Sequence, residues 1–405
     1  MKVCLVTGEY PPMRGGVADY TAFLSAALSR HGVSTSVITS ERARALRPEA
    51  PTNGTTAEVY TVPSWDYRCL RRIGEIVQAT RPDVLHLQYQ TGAFGMHPAI
   101  NLLPLWLRSA RNRPRLVVTF HDLRVPYLFP KAGPIRGLAT TLLVLGSDAT
   151  VTTNAEDAAR LIHRRRDGHP RAGRFGPSVH RIPIGSNIPV SPPPNYDRAL
   201  WRARLAVGDD QLLLSYFGFL APSKGVDLLM VTLGELLRKG HNVKLVMIGG
   251  SAGDTSTVDR SYERQIRTQA DQPTHRGRVL WTGFTGPEEV SANLLASDIC
   301  VLPFREGASF RHGTLVAAIV HGLPIVTTAP PPLPPLHDGL QLRSGENCYL
   351  APPSNVAGLV AAVERVASSE ALRSRLAAGA RALGDLFCWD VIASQTLRMY
   401  QALAR

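Results

Sequence analysis

Residues 305–315 read REGASFRHGTL and set a carboxylate (Glu306), a guanidinium (Arg311) and an imidazole (His312) between Gly307 and Gly313. A guanidinium can hold two phosphate oxygens through parallel hydrogen bonds. Gly313, Thr314 and Leu315 lead into an apolar, helix-like segment whose first N–H groups would favour an anion. Glu306 is suited to accept a sugar or ribose hydroxyl, and His312 can reach sugar or phosphate. The plainer alternative is a surface ion pair between Arg311 and Glu306, worth ~0–1 kcal/mol.

Five other stretches carry similar chemistry, each at the end of a strand-like run. GEYPPMRGGVADY (8–20) puts Gly15 and Gly16 before a helix start, with Asp19 in its first turn. Gly8 stands alone and the pair follows seven residues later, so the G-x-G-x-x-G spacing of a dinucleotide site is absent. The pair is either an anion-facing turn or a plain tight turn. In VVTFHDL, His121 and Asp122 can hydrogen-bond a substrate hydroxyl or shuttle a proton, or simply cap the next segment. HLQYQTG (86–92) offers Gln88, Tyr89 and Gln90, neutral groups suited to a polyol. SYFGFLAPSKGVDLL (215–229) ends a strand at Gly218 and brings Lys224 to a helix start, as a phosphate partner or as an ordinary surface lysine. WTGFTGPEEV (281–290) brings Phe284 to the same rim.

Positioning these loops takes a regular framework. Short Val/Leu/Ile runs at 2–7, 34–39, 58–62, 83–88, 115–120, 148–153 and 179–183 are mostly separated by helix-length segments such as 67–80 and 155–165. This is βα repetition, the pattern of a parallel sheet with helices on both faces. IPVSPPPNYD (188–197), with four prolines in ten residues, reads as a stiff connector. The pattern then restarts: strands at 212–217, 243–248, 278–282, 298–302 and 324–327 alternate with helices at 224–239, 259–270, 287–296 and 312–321. Helices near 355–380 and 389–404 close the chain. The expected division is an acceptor-binding domain over 1–187, a linker over 188–197, a second domain over 198–385 and a final helix over 386–405. Two α/β domains with doubly wound parallel sheets and a hinge predict a ligand site in the cleft between them.

The 405 residues suit two domains, and 44% apolar content suits a globular chain. Five scattered cysteines without C-x-x-C spacing point to a reducing compartment and no metal site. Strand-like residues from Lys2 leave no room for a signal peptide, and no apolar run reaches the ~20 residues of a membrane span. The expected location is cytoplasmic, with peripheral contact to an anionic membrane as an option. Net charge of +13 favours anionic partners. The Arg/His-rich segment 160–181 is either a solvated loop or a contact for anionic lipid, and with Phe175 as its only aromatic residue it does not suit single-stranded nucleic acid.

The stretches EYPP…GGVADY, FHD, GFLAPSKGVDLL, VMIGG, LWTGF, SDICVLP, HGLPIVTT and SGENCYLAPP occur in the order of the retaining GT-B glycosyltransferases of family 4, the group 1 type, which the chain resembles along nearly its whole length. The resemblance implies two Rossmann-like domains, with the nucleotide-sugar on the C-terminal one and a final helix crossing back to the first. It places Gly15 and Gly16 near the donor's phosphate and sugar, His121 near the transferred sugar and Lys224 on the leaving diphosphate. Gly218, Phe284, Arg311, His312, Gly313, Thr314 and Leu315 fall on the donor side, and Asp19, Gln88, Tyr89, Gln90 and Asp122 on the acceptor side. His121 and Glu306 are the catalytic candidates.

Two departures stand out. The family's Arg after Gly218 is Phe219, which leaves Arg311 as a replacement cation from another loop. The family's pair of glutamates, separated by seven residues, is missing: counted from Glu306 the second position is Thr314, and counted back from Gly322 the two are Ser309 and Ala317. The resemblance implies metal-independent transfer of a sugar from a nucleotide donor, a UDP- or GDP-sugar acting as co-substrate with no cofactor. The acceptor would be a hydroxyl of a polyol, glycan, natural product or lipid-linked molecule, attacked from the front face with retention. The rivals are a catalytically silent GT-B nucleotide-sugar binder or partner subunit, and a nucleotide-sugar epimerase or hydrolase of the same shape.

Overall fold

Seven short strands rich in Val, Leu and Ile pair side by side: β1 (Lys2–Thr7), β2 (Ser34–Ser40), β3 (Glu58–Val62), β4 (Val84–Tyr89), β5 (Arg115–Phe120), β6 (Ala149–Thr152) and β7 (Ser178–Arg181). The structure is a computed structural model and describes all residues except 14, 46–56, 109–111, 124–132, 167–177, 250–256, 333–339 and 405. The sheet is wholly parallel, in the order β3-β2-β1-β4-β5-β6-β7. Its helices are α1 (Gly16–Arg30), α2 (Glu41–Ala45), α3 (Arg68–Thr80), α4 (Leu103–Arg108), α5 (Gly133–Gly146) and α6 (Ala155–Arg166). Successive side chains of a strand point to opposite faces, and β1 shows the consequence. Cys4 and Val6 join the core with Ile73 of α3, Leu103 of α4 and Leu143 of α5, whereas Val3 and Leu5 join the other core with Leu24 and Leu28 of α1. Both faces are covered, as a continuous apolar strand requires.

A second parallel sheet has six strands: β8 (Leu212–Phe217), β9 (Val243–Ile248), β10 (Val279–Gly283), β11 (Ile299–Leu302), β12 (Ile325–Thr328) and β13 (Tyr349–Ala351), in the order β10-β9-β8-β11-β12-β13. The helices are α7 (Arg198–Arg204), α8 (Val226–Arg238), α9 (Thr257–Ala270), α10 (Pro287–Ala296), α11 (Gly313–Val320), α12 (Val356–Ala367), α13 (Glu370–Gly384) and α14 (Trp389–Ala404). The doubly wound α/β fold class expected for both halves is the one found.

By contacts the chain divides into one unit of residues Met1–Gly185 with Cys388–Arg405 and another of Ser186–Phe387. The proline-rich residues 188–197 fall in the second unit, where Ser191 N donates to Ser291 Oγ at 3.1 Å and Asp197 Oδ1 caps α7 by accepting from Leu200 N at 2.8 Å. Helix α14 belongs to the first unit: Tyr400 is buried in its core, and Trp389 stacks on Phe23 with ring centroids 5.3 Å apart. Lys224 lies outside α8, because Pro222–Lys224 form a separate 3-10 turn and Gly225 caps the helix. In each sheet the strand order reverses once, at β1/β4 and at β8/β11. Ligands of open parallel sheets bind at the carboxyl ends of strands beside such a reversal.

Candidate active site

In the first unit, β1, β4 and β5 run in register, with Thr7 opposite Gln88 and Gln88 opposite Thr119. His121 follows β5 and its backbone N–H donates to Tyr89 O at 3.1 Å, which holds it beside β4. Its Nε2 lies 2.9 Å from Gln88 Oε1. With the Gln88 amide oriented so that Oε1 faces the ring, Nε2 carries the proton and Nδ1 keeps its lone pair. The ring meets the edge of Tyr20 from α1 at 4.6 Å. Burial pulls the His121 pKa down to about 3, and it does the same to its neighbour His86. His86 sits two residues before Gln88, with Nδ1 2.5 Å from Tyr400 Oη and Nε2 2.7 Å from Thr119 Oγ1. Near pH 7 both imidazoles are neutral. His121 is therefore fitted to accept a hydrogen bond from a hydroxyl rather than to carry charge.

This arrangement changes the expected roles of two residues. Gln88 is fully buried, so it orients His121 instead of meeting an acceptor. Tyr89 points to the opposite face, into the α3–α5 core, where its hydroxyl takes hydrogen bonds from Asn101 Nδ2 at 3.0 Å and Thr91 Oγ1 at 3.4 Å. Alternation along β4 separates the pair. Gln90 and Asp19 are half-buried and Asp122 is exposed, so all three remain on the surface of the unit.

Gly15 caps α1, and Gly16 is its first residue. A Cβ at Gly15 would collide with the Glu9 carboxylate, so glycine is needed there to let Glu9 fold in beside the helix start. Glu9 is half-buried, and burial pushes its pKa up. No side-chain hydrogen bond or ion pair to another described residue offsets that. A desolvated carboxylate at a strand end, without a partner among the described residues, is a candidate functional position. The sequence reading used the glycines of GEYPPMRGG and passed over this acid. Its signal was a carboxylate two residues beyond a buried strand and six before a glycine pair.

In the second unit, the loops that follow β8 and β11 meet at the β8/β11 reversal. Gly218 adopts φ 139°, open in practice only to glycine, and the place of its Cβ lies 2.9 Å from Thr314 Cγ2 at the start of α11. The 303–312 loop is tied to the 222–224 turn by Arg305, whose backbone N–H donates to Ser223 O at 3.1 Å and whose Nε donates to Pro222 O at 3.1 Å; its guanidinium also pairs with Asp227. Phe304 then packs under two polar groups, with the His312 ring stacked at 3.9 Å and Lys224 Nζ 5.2 Å from the ring centre. Burial, and then the positive charge of Arg311, hold the Lys224 pKa down to about 8. Two cations thus sit near enough to repel each other.

Arg311 Nη2 is 3.6 Å from Glu306 Oε2, an ion pair beyond hydrogen-bond range, with Arg311 17% and Glu306 59% exposed. Next to these cations α11 begins. Leu315 and Val316 donate their N–H groups back to His312 O at 3.0 and 3.2 Å, so Leu315 offers no amide to a ligand, contrary to expectation. The N–H groups of Gly313 and Thr314 carry no such bond. Phe219 and Phe284 are exposed at the ends of β8 and β10. Beside Gly218, Gly249 and Trp281 line a shallow surface depression, with Arg267 stacked 4.5 Å above the Trp281 ring. Where glutamates are missing, Ala317 is fully buried and Ser309 Oγ accepts from the Arg311 backbone N–H at 3.4 Å.

Comparison with known proteins agrees with this geometry. Residues 197–383 match the family model described as glycosyl transferases group 1, and residues 15–175 match that of a glycosyl transferase 4-like domain. D-inositol 3-phosphate glycosyltransferase of Xylanimonas cellulosilytica is 26% identical, over 95% of this chain and 91% of its own. The GDP-mannose-dependent alpha-(1-6)-phosphatidylinositol monomannoside mannosyltransferase of Mycolicibacterium smegmatis is 26% identical over 74% of this chain and 72% of its own. Among solved structures, sucrose-phosphate synthase of Thermosynechococcus elongatus superposes with TM-score 0.75 at 19% identity, covering 99% of this chain and 98% of its own. Anabaena HepE in complex with UDP and glucose gives 0.72 at 16%, covering 99% and 100%. The fold is GT-B, and with both halves matched in order the chain belongs to the group 1 glycosyltransferases.

Proposed function

We propose that this protein transfers a sugar from a nucleotide donor to an acceptor hydroxyl with retention of configuration. The observation that carries the reading is the meeting of Lys224 and Arg311 at the start of α11, where mutual repulsion is tolerated and an anion would relieve it. The donor diphosphate is assigned to Lys224, Arg311 and the N–H groups of Gly313 and Thr314. Gly218 lets the β8 loop lie against them. Glu306 is assigned to a hydroxyl of the donor, His312 to the sugar–phosphate junction, and the exposed Phe284 to the base. Names of relatives include GDP-mannose-dependent enzymes and a protein bound to UDP and glucose, so UDP- and GDP-sugars are the donors to try first.

As the bond from the anomeric carbon to the diphosphate oxygen breaks, negative charge collects on the diphosphate. Lys224 and Arg311 stabilise it more than they stabilise the intact donor, which lowers the barrier. The leaving oxygen takes the proton of the incoming hydroxyl on the same face, giving retention without a covalent intermediate. In the first unit, His121 Nδ1 accepts a hydrogen bond from a sugar hydroxyl. The backbone at Gly15–Gly16 approaches the donor, and Glu9 holds the acceptor hydroxyl. Asp19, Gln90 and Asp122 flank that side. Inositol-based acceptors, named for the two relatives, are the first candidates, free or lipid-linked.

One observation favours a silent binder instead, namely that Ser309 and Ala317 occupy the positions of the family's glutamate pair. Incubation of the full chain with radiolabelled UDP- and GDP-sugars, with and without myo-inositol phosphate or phosphatidylinositol, separates the readings. A labelled glycoside formed only with acceptor supports transfer, and sugar released without one supports hydrolysis. Donor bound but never consumed supports the silent protein.

A further inference from the structure

We propose that Tyr67 and His97 form a stacking platform in the first unit for a hydroxyl-rich six-membered ring, a pyranose or a cyclitol. Among the described residues three aromatic side chains are exposed, and each lies between a strand and the helix that follows it. Phe219 and Phe284 belong to the second unit, and Tyr67, 58% exposed, is the one in the first. Its neighbours fix its ring. His97, from the loop after β4, lies nearly perpendicular to it, at 76° with ring centroids 4.9 Å apart. The same two loops are joined a second time by Trp65 and Phe94, both buried, with centroids 4.7 Å apart. A Cβ at Gly8 would collide with Ala93 O, so the loop that carries Glu9 packs closely against the loop that carries His97. The platform therefore shares the carboxyl rim of the sheet with Glu9 and His121.

The polar border of the platform fits hydroxyls. His97 Nδ1 accepts from Ala99 N at 3.2 Å where the 3-10 turn Pro98–Leu102 begins, so the neutral imidazole carries its proton on Nε2, a donor. Asp66, next to Tyr67, accepts from Arg68 N at 2.8 Å and from Ser64 Oγ at 2.9 Å, one bond to each carboxylate oxygen. The bond from Arg68 N, and then that from Ser64, hold its carboxyl below the ordinary value, and His97 is near enough to add to the effect. Near pH 7 Asp66 is ionised, and each of its oxygens keeps a second lone pair. A hydroxyl both donates and accepts. A carboxylate and an N–H beside an aromatic face thus suit vicinal hydroxyls on a ring whose C–H face is apolar. Which molecule brings the ring rests on the acceptor role proposed for this unit, whereas binding at the platform requires no transfer.

Saturation-transfer difference NMR on the full chain tests the proposal, with myo-inositol and methyl α-mannopyranoside as cyclic probes and sorbitol as the open-chain control. Protons of both cyclic probes should be saturated and those of sorbitol should not, because an open chain has no rigid apolar face. Tyr67→Ala should weaken binding of the cyclic probes at least ~3-fold, the scale of one aromatic contact. Tyr67→Phe keeps the face and should bind as wild type, and His121→Ala, altered in a different loop, should bind as well. No saturation of the cyclic probes, equal saturation of sorbitol, or unchanged binding by Tyr67→Ala overturns the proposal. Binding that His121→Ala abolishes would put the ring at the reacting hydroxyl and overturns it too. Failure of the transfer reading leaves a different record: no glycoside forms with any donor while the saturation pattern persists. Where transfer occurs, Tyr67→Ala should raise the acceptor KM at least ~3-fold and change kcat less than ~2-fold. A fall in kcat at unchanged KM contradicts a platform that only binds.

Discussion

Burial shifts the pKa values of His121 and Glu9 in opposite senses. With its pKa drawn to about 3, His121 stays neutral across the working range of pH, so its contribution is a hydrogen bond. His121→Ala should lower turnover at least ~10-fold. It also strips Gln88 Oε1 of its donor, costing ~1–3 kcal/mol of stability, so turnover is to be measured well below the melting temperature. An activity break near pH 6.5 that vanishes in this variant would contradict a neutral imidazole. Because the folded pKa is depressed, the unfolded chain binds the proton first, and His121 and His86 weaken the fold as pH falls below 6.5 toward 3. Glu9 works in the other direction. Its folded pKa is raised, so the ionised carboxylate costs stability at neutral pH, a cost absent below the unfolded value near 4.5. Glu9→Gln should raise the melting temperature at pH 7 but not at pH 4, while transfer falls. A variant that melts lower at pH 7 and transfers normally would make Glu9 a structural residue.

At the scale of elements, the start of α11 is the critical placement, and Gly218 secures it. Gly218→Ala would put a methyl 2.9 Å from Thr314 Cγ2 in a backbone region that side chains rarely enter. We expect a loss of ~1–3 kcal/mol in stability together with weaker diphosphate binding. Gly16→Ala meets nothing within 4 Å, so it should change stability by less than ~1 kcal/mol yet reduce transfer, if the backbone there approaches the donor. Normal transfer by Gly16→Ala would leave Gly16 without that role. Most elements were legible because Val/Leu/Ile runs bounded by glycine and proline alternate with helical stripes from β1 to β12. Helix α5 was not placed, since an apolar stripe on each side erases the usual contrast, and β13 is three residues long. Site residues at strand ends could be located by position alone. That Arg311 lies near Lys224, or that Glu9 turns in against Gly15, depends on loops meeting in space, which spacing along the chain does not encode.

For the whole molecule, a surplus of +13 favours anionic partners. In the second unit, Lys224 lies close enough to Arg311 for the two positive charges to repel. Half of the Arg/His-rich segment 160–181, residues 167–177, lies outside the described residues. The central claim is that Lys224 and Arg311 hold the donor's diphosphate, with Arg311 replacing the cation that Phe219 removed. Isothermal titration of UDP, GDP, uridine and guanosine into wild-type protein and Arg311→Ala, at pH 7 and pH 9, tests it most directly. A diphosphate should bind the wild type more weakly at pH 9, because Lys224 loses its proton near pH 8 and must regain it on binding. The Arg311→Ala change should weaken that diphosphate by more than ~1.5 kcal/mol, the lower end for a charge-assisted contact, and leave the nucleoside unaffected. Equal diphosphate affinity in both proteins, or an equal loss for diphosphate and nucleoside, would contradict the account.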